Sequence, residues 1–305
     1  MIVLPAFAAL LPWRAGFALL SRLARSERLY GDLAAAALSG AQTMAPIPDP
    51  LEWKRRYRLI RLVDHCDLFL VRTRSMRWLE RNVDVEGVWP DGGPFIAMTF
   101  HWGAGMWAFA HLHRLGFAAR MLVARHDKKQ FRGDWIACAY AELRNGTVEK
   151  AGGAAVIPTG GASAIIASTL ASKDIVVALY DVPAALTGST VRTRVCGRPI
   201  DLPAGLAKIA IEAGVPVVPF SMGLDYRTGR RLLHIEQPFR PGTVQQFADH
   251  LAASLTRLID ADLAAWHFSS HAVQFFASEA GVPVAAVAEH GINPHQGAAS
   301  GGATT

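Results

Sequence analysis

The sequence predicts an α/β domain built on a mostly parallel sheet, and two observations carry that prediction. From about residue 83, short apolar runs alternate with longer segments of helical character. Several of those runs, IVVALY at 175–180 and VPVVPF at 215–220 among them, are continuously apolar. That is the pattern of strands buried on both faces. Strand–helix alternation then implies parallel strands joined by crossover helices.

The strand candidates are 83–88, 94–100, 119–124, 154–157, 175–180, 215–221 and 231–236. Helices are expected between them at 104–115, 130–144, 161–172 and 203–213, and again over 243–277. Pro203 suits the first turn of its helix, and Gly214 suits the C-cap. Before the alternating region lies a basic helical stretch, 51–79, carrying Lys54, Arg55, Arg56, Arg58, Arg61, Arg72, Arg74 and Arg77. It reads either as a solvated face or as a surface for phosphates. The loop at 40–50 holds three prolines.

The first thirty residues form a separate unit. MIVLPAFAALLPWRAGFALL is apolar but carries Pro5, Pro12 and Arg14, and Arg22, Arg25 and Arg28 follow. A spanning helix needs about 20 apolar residues, and Arg14 interrupts the run. An apolar segment followed by arginines reads as a helix lying on a membrane surface, on the cytoplasmic side that basic residues favour, with an ordinary helix packed on the domain as the plainer reading. The expected organisation is therefore 1–30 membrane-associating, 31–290 a single α/β domain, and 291–305 a small, polar, disordered tail.

Composition narrows the function. The 305 residues are 51% hydrophobic and only 18% charged, with a net charge of +6. A basic balance favours acidic partners. No nucleic-acid motif is present, so anionic lipid is preferred over nucleic acid. Cys66, Cys138 and Cys196 are scattered and odd in number, which gives no disulfide framework and no zinc spacing. The Gly-x-Ser-x-Gly elbow of an α/β hydrolase is absent.

The segment PFIAMTFHWGAGMW, 94–107, carries the chemistry. An apolar strand runs into His101, two glycines follow, and a helix begins. Ligands of open α/β sheets bind beyond the carboxyl ends of the strands, so His101 is well placed as a general base. Backbone N–H groups near Gly103 and Gly105 are candidate oxyanion donors. Trp102, Met106, Trp107 and Phe109 are candidates to line an apolar groove, although each alone reads more simply as core. Arg125 and Arg144 are candidate phosphate ligands, with surface salt bridges as the plainer reading. Asp181, after the 175–180 run, stands at another strand's carboxyl end, where a turn aspartate is the plain alternative.

Taken in order, VDVEGV, the strand into His101-Trp102-Gly103, Arg125, Arg144, ALYDVP, GRPIDLPAGLAKIAIEAGVPVVPF and AAWHF resemble the late lipid A acyltransferases. These are bacterial glycolipid acyltransferases of the lysophospholipid acyltransferase superfamily. The resemblance covers roughly residues 1–277. It implies that superfamily's fold and transfer of an acyl chain from an acyl carrier protein or acyl-CoA thioester to a hydroxyl of a lipid or glycolipid. It also implies a peripheral place on the cytoplasmic face of the inner membrane, and no metal or prosthetic group.

One position departs from the family pattern of His, four residues, then Asp or Glu: here the acid's place is taken by Met106. Such a carboxylate orients the imidazole and stabilises its protonated form. Three explanations stay open. Another carboxylate substitutes, Asp181 first and Asp127 second; a backbone carbonyl orients the ring; or the protein keeps the fold as a non-catalytic binder of lipid or carrier protein.

Overall fold

The computed structural model describes residues 2–125, 135–182 and 188–276. Asp127, most of the basic patch around it and the tail from 291 lie outside the described residues. The chain opens with α1 (Val3–Leu10), α2 (Trp13–Leu23), α3 (Gly31–Gln42), α4 (Pro50–Thr73) and α5 (Met76–Arg81). Then come β1 (Val83–Glu86), β2 (Ile96–Thr99), α6 (Met106–Arg114), β3 (Ala119–Val123), α7 (Trp135–Gly152), β4 (Ile157–Pro158), α8 (Ser163–Ala171) and β5 (Ile175–Leu179). A hairpin follows, β6 (Thr190–Val195) and β7 (Arg198–Pro203), and then α9 (Gly205–Ala213), β8 (Val217–Leu224), β9 (Arg231–Ile235) and α10 (Val244–Ala261).

The central sheet has seven strands in the order β1-β9-β8-β2-β5-β3-β4. Every neighbouring pair is parallel except β8 and β9. The expected α/β class and mostly parallel sheet are therefore present. Alternation along each strand divides the core into two layers. Ala97, Ile175 and Val177 face one layer, with α1, α2, α4, α6 and α7. Ile96, Met98, Val176 and Ala178 face the other, with α8, α9 and α10. β2 and β8 are buried throughout, as their unbroken apolar runs require.

Three expectations need correction. The N-terminal segment is two helices, because Pro12 lacks the N–H that would continue the first. Both pack into the domain through Ala8, Ala9, Trp13, Phe17 and Leu20. Pro203 closes strand β7 instead of opening a helix; Gly214 does cap α9, in the left-handed conformation. The basic stretch is a solvated face only in part, with Arg56, Arg72 and Arg77 exposed. Arg58 and Arg61 are buried, Arg72 donates to Thr147, and Arg74 donates to the carbonyls of Ala9 and Leu11. α4 is a tie rod, anchored at its start by Asp49, whose carboxylate accepts from the N–H groups of Leu51 and Glu52.

Candidate active site

β2 and β5 lie side by side in parallel register, with Thr99 opposite Leu179. Two residues further along each strand, the same register brings His101 opposite Asp181. The contact is direct: His101 Nδ1 lies 2.9 Å from Asp181 Oδ1. The backbone N–H of His101 donates to both carboxylate oxygens, at 2.9 and 3.0 Å. The indole N–H of Trp266 donates to Oδ2 at 3.0 Å. Asp181 is fully buried, while the His101 side chain keeps 20% exposure. With Nδ1 directed at the carboxylate, Nε2 is the nitrogen left for a reacting group, and no described residue bonds it. The ring of Phe268 packs edge-on to the imidazole, 4.4 Å between centroids.

The backbone after His101 is held on both sides. Gly103 N–H donates to the Ala265 carbonyl and Ala104 N–H to the Met222 carbonyl, both at 2.9 Å. His267 N–H donates to the His101 carbonyl at 2.7 Å, and the His267 ring, through Nε2, bonds the Gly103 carbonyl at 2.8 Å. Gly103 has φ +73°, and a Cβ there would overlap the Met222 carbonyl oxygen. Both sterics and dihedral thus demand glycine. Gly103→Ala is expected to cost about 3 kcal/mol or more, read as a lower midpoint in urea unfolding.

These bonds change the expected roles. The N–H groups of Gly103 and Ala104 are committed to carbonyls, which leaves Gly105 N–H, at the start of α6, as the candidate oxyanion donor of this loop. Trp102 donates its indole N–H to the Asp262 carbonyl at 3.0 Å and packs against Gly223, so it braces the loop. Met106, Trp107 and Phe109 are buried in the core. Arg144 pairs bidentately with Asp64 at 2.9 and 3.2 Å. Its guanidinium ties α7 to α4 and is not a free phosphate ligand. Arg125 follows β3 on the same sheet edge as His101; it is exposed, and its guanidinium reaches the Gly160 carbonyl at 3.5 Å.

Sequence reading missed the role of Trp266. Its signal was a lone tryptophan in AAWHF, which carries no chemistry until the 262–267 segment is seen to bridge the 101–103 loop.

No protein-family model matches this chain, and no curated protein matches it.

A polar cluster borders the site, with Asp64 buried and His65, His267 and Arg144 half-buried around it. Burial would raise the Asp64 carboxyl, but the Arg144 guanidinium holds it well below its ordinary value. Burial pushes His65 down to about 4. Burial, helped by Arg61, pushes His267 down to about 3. Both histidines stay neutral in the fold at pH 5, whereas the unfolded chain protonates them near 6.5. The unfolded state then binds more protons, so stability falls as pH drops below about 6.5. Thermal unfolding at pH 7 and pH 5 is expected to show a loss of about 2 kcal/mol or more. His65→Gln and His267→Gln should each flatten that dependence.

Proposed function

We propose that the protein is an acyltransferase that moves an acyl chain from an acyl carrier protein or acyl-CoA thioester to a hydroxyl of a lipid or glycolipid. The observation that carries this reading is the His101–Asp181 contact at the carboxyl edge of a parallel sheet. Asp181 offers the carboxylate that Met106 does not. The ordered set of motifs resembling the late lipid A acyltransferases supplies the reaction class.

In this reading, His101 Nε2 takes the proton of the acceptor hydroxyl as its oxygen attacks the thioester carbonyl. A C–O bond forms and the carbonyl electrons move to oxygen. Gly105 N–H and Arg125 are the candidates to meet that oxyanion. Collapse breaks the C–S bond, and the imidazolium returns its proton to the departing thiolate. Asp181 keeps Nδ1 protonated and stabilises the imidazolium. The alternative of a binder without turnover draws on Met106 alone. The test is transfer of labelled acyl chain from acyl carrier protein or acyl-CoA into membrane lipid by wild type and His101→Ala.

No helix among the described residues is long and apolar enough to cross a membrane. Peripheral attachment to the cytoplasmic face of the inner membrane is supported by α1. It buries Pro5, Ala8 and Ala9 and exposes Val3, Phe7 and Leu10 at helical spacing, Val3 and Leu10 at 77% and 69%. Arg14, Arg22, Arg25 and Arg28 are exposed just after it. Apolar burial combined with attraction to anionic headgroups is the pattern of an interfacial helix. Phe7→Ser with Leu10→Ser is expected to lower binding to anionic vesicles at least about tenfold, measured by sedimentation, with thermal stability unchanged.

A further inference from the structure

We propose that Trp266 is a positioning residue for the His101–Asp181 pair, its indole N–H fixing the carboxylate and moderating its hold on the imidazole proton. This rests on the reading of His101 and Asp181 as a catalytic pair.

Asp181 is sealed from water, so protein donors must satisfy its charge. Oδ1 takes the imidazole Nδ1 and the His101 backbone N–H; Oδ2 shares that backbone N–H and takes Trp266. Among the described residues, Trp266 is the one donor to the carboxylate that does not belong to His101. A hydrogen bond to an ionised carboxylate is roughly twice as strong as a neutral one. It also draws charge away from the oxygen that faces His101.

Trp266 is built to hold that direction. Its side chain is fully buried, with the rings of Phe275 and Phe276 at 5.1 and 6.4 Å. Its backbone bridges Trp102. The neighbouring bonds, Gly103 N–H to the Ala265 carbonyl and His267 N–H to the His101 carbonyl, lock the Trp266 segment to the histidine loop. The indole and the imidazole thus approach one carboxylate from two segments that cannot move apart.

The test is Trp266→Phe, which keeps an aromatic ring and removes the donor. Two donors of His101, its backbone N–H and Nδ1, still hold the carboxylate, so its charge falls more fully on the imidazole. The His101 titration, followed by NMR on histidine-labelled protein without substrate, is expected to move up by about half a pH unit. In turnover, kcat is expected to fall about 10- to 100-fold, the range for losing one hydrogen bond to a charged group, with KM unchanged. Phe275→Leu is the structural control: it loosens the packing around Trp266 and should leave the His101 titration in place.

An unchanged titration in folded Trp266→Phe, or an equal shift in Phe275→Leu, overturns the proposal. In the wild type the Trp266 indole N–H resonance should follow the His101 titration, and a resonance that stays fixed also overturns it. If the titration moves as expected while the wild type transfers no acyl group, the positioning role holds and the acyltransferase reading fails.

Discussion

Asp181→Asn is expected to lower the proposed acyl transfer by about 10⁴-fold, the loss seen when the carboxylate behind a catalytic histidine becomes an amide. An asparagine carbonyl still accepts from the His101 backbone and from Trp266. Its amide has no charge to set against an imidazolium, and where its NH₂ turns to Nδ1 the proton is displaced to Nε2. The ring then presents a donor where a base is needed. Met106→Glu is the companion experiment. It restores the family pattern on paper, yet Met106 is 3% exposed and packed into the core. The new carboxylate would be buried at a cost beside an imidazole that already contacts Asp181. No gain in rate is expected from it, and a rise would mean that Asp181 does not act. Initial rates of labelled-acyl transfer, with folded fraction checked by circular dichroism, decide both.

The second large effect concerns folding. Asp67 on α4 and Arg231 at the start of β9 form an ion pair with both side chains fully buried. The guanidinium lies between the rings of Trp13 and Trp107, 4.7 and 4.4 Å from their centroids, and also donates to the Gly229 carbonyl. One interaction thus joins α2, α4, α6 and the sheet. Asp67→Ala leaves a positive charge in an apolar layer, which costs about 3–5 kcal/mol. In a domain of this size that lowers the melting temperature by about 10 °C. Asp67→Leu combined with Arg231→Met removes both charges and should recover most of the loss, since well-packed apolar replacements of buried pairs are close to neutral. A double variant as unstable as the single one would assign the effect to packing.

Legibility in the sequence followed the physics of each element. Continuously apolar runs announced β2, β5 and β8 because both faces of those strands are covered. The β6–β7 hairpin went unread. Its strands are polar and half exposed, and its turn is Cys196-Gly197, both at positive φ, without the Asn-Gly or Asp-Gly pair that usually marks such a turn. Arg58 and Arg61 of α4 read as surface because their partners, the Ala24 and His267 carbonyls and the Glu27 carboxylate, are distant in sequence. His101 and Asp181 were both legible as strand-end residues. Asp181 was also legible as the first of two carboxylates that could serve the imidazole, but choosing between it and Asp127 needed the sheet order, because α6, β3, α7, β4 and α8 intervene in the chain while β2 and β5 are neighbours in the sheet. Trp266 was invisible for the same reason at longer range.

The most direct test of the central claim is transfer of radiolabelled acyl chain from acyl carrier protein or acyl-CoA into bacterial membrane lipid, run with wild type and His101→Ala at matched folded concentration. The account predicts a labelled lipid with wild type and a loss of about 10³-fold or more with His101→Ala. Equal labelling by the two proteins would contradict it.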